Sequence, residues 1–66
     1  MRKISVATAS DFDFELVDVL ILVEYDGSTK NCWVRGFDYD EWEVAEQYAR
    51  ELAEILGCEY IGEIAE

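Results

Sequence analysis

The sequence predicts a small α+β domain, an antiparallel sheet of three to four strands packed against one helix in the order β-β-β-α-β. Three observations carry that prediction. Val17, Val19, Ile21, Val23 and Tyr25 alternate along a strand to give one wholly apolar face. Asp26-Gly27-Ser28-Thr29-Lys30 is a hairpin turn signal. Ala45, Ala49, Leu52 and Leu56 recur at helical spacing. With 66 residues the chain makes one domain, near the lower size at which a core holds a fold unaided. Its apolar fraction, 52%, separates it from disordered chains, which combine high charge with low hydrophobicity.

The first strand is built on Ile4, Val6 and Thr8 and ends near Ala9-Ser10-Asp11. Asp11-Phe12-Asp13-Phe14-Glu15-Leu16 then alternates acid and apolar, the period of a half-buried strand. Beyond it, Leu20 and Leu22 occupy the second face of the Val17–Tyr25 run, so this strand reads as central. The apolar face switches between the two stretches, which predicts a bulge or bend near residues 16–18. Cys32 to Phe37 returns as a strand, with Trp33, Arg35 and Phe37 on one face and Gly36 marking a bulge or a close approach.

The helix is expected over residues 40–56. Asp40-Glu41-Trp42-Glu43 has the form of a capping box, and Asp38 with Glu41 is the alternative. Trp42, Tyr48 and Ile55 flank the apolar stripe, while Glu43, Glu46, Gln47, Arg50, Glu51 and Glu54 lie opposite. Gly57 stands where a helix C-terminal glycine belongs. A short strand, Glu59 to Ile64, completes the sheet.

Composition excludes several functions. The net charge is −11 and there is no histidine. A phosphate backbone or an anionic lipid surface would repel such a chain, so no direct nucleic-acid or membrane binding is expected. Leu16 to Val23, interrupted by Asp18, falls short of the roughly 20 apolar residues of a membrane span. Met1-Arg2-Lys3-Ile4-Ser5 lacks the apolar run of a signal peptide. Cys32 and Cys58 fit neither a disulfide framework nor a zinc pattern, which points to a reducing, cytoplasmic setting with free thiols.

Catalytic parts are missing as well. Without histidine the commonest general base is absent, neither cysteine has a neighbouring cation, and no glycine-rich phosphate loop occurs. Asp11-x-Asp13-x-Glu15 has alternating ligand spacing but lacks the turn glycine and distal glutamate of a calcium loop. On a strand these carboxylates would stand about 6.5–7 Å apart, too far for two neighbours to chelate one ion. The expectation is a binding protein, with no enzyme activity, metal or cofactor.

The charge is unevenly distributed. Residues 11–26 carry −6, and residues 38–66 carry −9 with Arg50 as the single base. Two bland explanations apply: acids near a helix N-terminus favour its dipole, and a salt-loving organism can make its whole proteome acidic. The functional explanation is that carboxylates spaced on a rigid body imitate a nucleic-acid backbone and occupy a basic groove. Asp11, Asp13, Glu15, Asp38, Tyr39, Asp40, Glu43, Glu46, Glu51 and Glu54 are the candidate contact residues. Core packing is the expected role of Phe12, Phe14 and Trp42, whereas Tyr39 sits among acids before the helix.

In overall composition, and in Asp11-Phe12-Asp13-Phe14-Glu15 and Asp38-Tyr39-Asp40-Glu41-Trp42-Glu43, the chain resembles the small acidic inhibitors of phages and mobile elements. These include anti-CRISPR proteins and other DNA mimics. The resemblance implies an inhibitor in the cytoplasm of a bacterial or archaeal host. Its partner would be a basic protein or nucleoprotein surface, with a CRISPR effector complex as the first candidate. The alternative is an interaction module, either an antitoxin-like neutraliser of a basic protein or a small subunit of an assembly.

Overall fold

In the computed structural model, which describes residues 2–64, three long strands form a meander. They are β1 (Arg2–Asp11), β2 (Leu16–Tyr25) and β3 (Ser28–Asp38). A 3₁₀ turn (Tyr39–Glu41) leads into the helix α1 (Trp42–Leu56), and β4 (Glu59–Ile64) closes the sheet. The strand order is β3-β2-β1-β4. The α+β class and the β-β-β-α-β order are those expected from the sequence.

One part of the expected sheet is corrected. β1, β2 and β3 pair antiparallel, but β4 pairs with β1 in parallel, so the sheet is mixed. The helix is the cause. It carries the chain from one edge of the sheet back across its face to the other, so β4 runs in the direction of β1; parallel neighbours need such a crossover.

The β2–β3 hairpin turns on two residues. Asp26 and Gly27 both take left-handed backbone, with φ of 51° and 78°, the requirement of the tight turn that Asp-Gly favours. β3 starts directly after it, four residues earlier than the expected Cys32. The expected bulge near residues 16–18 is absent. Pairing shifts instead opposite Val19 and Leu20, where β3 holds one extra residue, and between Val6 and Thr8 against β4. Gly36 marks a close approach: a Cβ there would stand 3.3 Å from Asp18 Oδ1.

The Asp11–Leu16 stretch does not continue a strand. Asp11 pairs directly with Leu16, and residues 12–15 form the loop of the β1–β2 hairpin. Phe12 and Phe14 are 76% and 74% exposed and lie outside the core.

The main core lies between sheet and helix. Val6, Val17, Val19 and Phe37 meet Ala45, Ala49 and Ala53, with Trp42, Tyr48 and Leu52 packed beside them. Ala45 and Ala49 of the expected stripe are buried, but Ala53 completes it, with Leu52 only beside it and Leu56 outside. Small side chains let the helix backbone sit close to the sheet, and this rotates Ile55 (81% exposed) and Leu56 (48%) outward. On the opposite face, Ala7, Ala9, Leu20 and Leu22 are buried together with Ile64 beside them.

Neither expected capping box forms. The backbone N–H of Tyr39 donates to the carbonyl of Glu15 at 3.0 Å, so the hairpin loop meets a need that a side-chain cap would otherwise serve. At the other end Gly57, φ 69°, closes α1 as expected. Its N–H reaches the Glu54 carbonyl and the Cys58 N–H reaches that of Ala53, the paired bonds of a Schellman motif.

Candidate functional site

The strand directions gather seven of the sixteen acids at one end of the molecule, while Glu24 and Asp26 lie beside Arg2 and Lys3 at the other. β1, β3 and β4 finish there, while β2 and α1 begin there. The hairpin loop brings Asp11, Asp13 and Glu15; the β3–α1 junction brings Asp38, Tyr39, Asp40 and Glu41; β4 brings Glu63. Of the ten candidate contact residues, the fold thus unites the first six, with Glu43 at the helix start. Glu51 and Glu54 are exposed farther along α1; Glu54 lies about 16 Å beyond Glu43 at the helical rise. Glu46 is half-buried and paired with Arg50.

The loop is held by its own side chain. Asp11 Oδ1 accepts the backbone N–H groups of Asp13 (3.1 Å) and Phe14 (3.3 Å), an aspartate turn. Glu15 then takes φ 53°, which aims its carbonyl at Tyr39. Asp11 is consequently a structural residue of the patch, while Asp13 and Glu15 are free to face a partner.

Aromatic rings are set into this acidic end. Phe12 and Tyr39 lie 6.0 Å apart between centroids, tilted by 52°, and Tyr39 and Trp42 lie 6.4 Å apart, tilted by 59°. Tyr39 stands between the other two. On one side it lines a cleft of about 410 Å³ with Phe12 and Glu15. On the other it lines a cleft of about 260 Å³ with Trp42 and Glu63. The alternating pattern of the hairpin hid this arrangement, because it marked Phe12 and Phe14 for the core. Glu63 carried no sequence signal beyond its charge; Ser10 Oγ donates to its carboxylate at 2.8 Å.

The bases lie elsewhere. Arg2, Lys3 and Lys30 belong to the opposite end of the strands. Arg35 is stacked over Phe37 (4.7 Å) and Tyr48 (5.6 Å), and Arg50 over Tyr60 (5.6 Å). The long dimension of the molecule, 37 Å, exceeds the roughly 8 Å screening length at physiological salt several-fold, so the two ends act as separate electrical surfaces.

The acidic end offers ring faces and carboxylates but no histidine, and neither cysteine belongs to it. Among the described residues no group of three or more acids, cysteines or histidines is placed to hold a metal ion. No helix of the described residues is long and apolar enough to cross a membrane. Compared with protein-family models, with curated proteins and with solved structures, the chain has no match.

Proposed function

We propose that this chain is a non-enzymatic inhibitor that binds and blocks the basic nucleic-acid-binding surface of a larger complex, in the cytoplasm of a bacterial or archaeal host. The observation that carries the reading is the concentration of acids at one end, with Asp13, Glu15, Asp38, Asp40, Glu41 and Glu63 around exposed aromatic rings. A groove that displaces counterions from phosphates gains the same release from fixed carboxylates. Exposed aromatics add the desolvated contacts on which protein interfaces most depend. The helix acids Glu43, Glu46, Glu51 and Glu54 extend the negative surface away from that end.

The aromatic cluster also favours a second reading, a neutraliser of a basic protein that need not occupy a nucleic-acid groove. A competition experiment separates the two. A CRISPR effector loaded with guide RNA and labelled target DNA is titrated with this protein at two salt concentrations. Displacement of DNA that weakens at the higher salt is the expected outcome. If DNA and this protein bind together without interference, mimicry is wrong for that complex and the neutraliser reading replaces it.

A further inference from the structure

The acidic end has a finer pattern than its charge. Tyr39 presents a cleft on each side, and the two clefts are built alike from a second aromatic ring and one carboxylate: Phe12 with Glu15, and Trp42 with Glu63. The chain's own arginines indicate what such a wall takes. Arg2 lies over Tyr25, Arg35 over Phe37 and Tyr48, and Arg50 over Tyr60. Among the described residues no cation lies over Tyr39, Phe12 or Trp42. Phe14 and Trp33 also lack one, but of the rings without a cation only Phe12, Tyr39 and Trp42 pair with one another, and they do so among carboxylates.

We infer that these two clefts are slots for arginine side chains of the partner, one on each side of Tyr39. The inference rests on the reading of the acidic end as a surface for a basic protein and names the side chain it selects. A guanidinium is flat, weakly hydrated and always charged; it lies on an aromatic face while its N–H fork meets a carboxylate. A lysine ammonium matches the charge but neither the plane nor the fork. Other occupants fit less well. Bases of a single strand stack on rings, but their phosphates meet this carboxylate ring. A second copy of the chain brings a like charge to the same place.

The test uses two acetylated, amidated five-residue peptides of glycine with either arginine or lysine at the second and fourth positions. Each is titrated into the ¹⁵N-labelled protein at low ionic strength. The arginine peptide is expected to bind about five-fold more tightly, the size of one modest cation–π contact. Shifts should concentrate at Phe12, Glu15, Tyr39, Glu63 and the Trp42 indole N–H. Phe12→Ala, at a side chain outside the core, and Tyr39→Leu should bring arginine down to the lysine level, while Glu24→Gln, exposed beside Lys3 at the opposite end of the strands, should leave the preference intact. Equal binding of both peptides, with shifts spread over the helix acids, overturns the slots and leaves the acidic-surface reading standing. If neither peptide binds at low salt, the slots and that reading fall together.

Discussion

Asp18 is the one carboxylate among the described residues that the fold takes out of water, with 8% of its surface left exposed. Its Oδ1 accepts the indole N–H of Trp33 at 3.1 Å, beside the space that Gly36 leaves open. Trp33→Phe keeps the ring but removes the donor, and a buried acceptor without a partner costs about 1–3 kcal/mol. A fall of that size in unfolding free energy, measured by urea titration, is the expected outcome; no change would show that water replaces the indole. A neighbouring acid explains the largest misreading of the sequence. In Asp11-Phe12-Asp13-Phe14-Glu15 alternation describes a strand only if the apolar residues are buried, and here they are not. Loops usually declare themselves by glycine or asparagine at a left-handed position. This one places Glu15 there, so the left-handed position left no compositional mark, and Asp11, which makes the turn, fitted the alternation equally well.

At the level of elements, α1 was legible in extent and end, because helical periodicity and Gly57 act locally. Its rotation was not. Large apolar residues weigh most in a pattern, whereas the approach of helix to sheet selects the smallest ones, Ala45, Ala49 and Ala53. Two substitutions separate the two rotations. Ile55→Ala should change stability by less than about 0.5 kcal/mol, as for an ordinary surface site. Ala53→Leu, at the buried alanine that the expected stripe left out, should cost about 1–3 kcal/mol by overpacking. Thermal or urea unfolding reads both, and the opposite ranking would restore a stripe centred on the leucines. Gly57→Ala should cost about 1 kcal/mol, because its left-handed φ suits no β-carbon. The parallel docking of β4 was not legible either. Neither strand pattern nor turn chemistry says on which edge a strand arrives after a helix has crossed the sheet.

For the whole molecule, charge was legible in amount but not in place. The blocks around Asp11 and Asp38 stand 27 positions apart in sequence, and only the β2–β3 meander sets them side by side. Crowding like charges opposes folding, and salt screens it over a length that falls from about 30 Å at 0.01 M to about 3 Å at 1 M. The urea midpoint should therefore rise with sodium chloride, by stabilisation on the order of 1 kcal/mol. A midpoint that falls or stays fixed would mean that the acids are too far apart to repel. Replacing Asp13, Glu15 and Asp40 by their amides should slow association with a basic partner by about ten-fold while dissociation changes less, as steering charges do. Stopped-flow association rates test this, and an unchanged rate would move the contact surface away from the acidic end. The mixed sheet carries a different kind of consequence. Thr8 and Tyr60, joined between hydroxyls at 3.2 Å, are 52 positions apart in sequence, and among the described residues four pairs in a broken register join β1 to β4, against ten that join β1 to β2. That pair forms late and opens first, so β4 amides should exchange with deuterium ahead of those of β2. Each opening bares one edge of β1, an unpaired strand of the kind that templates pairing with another chain.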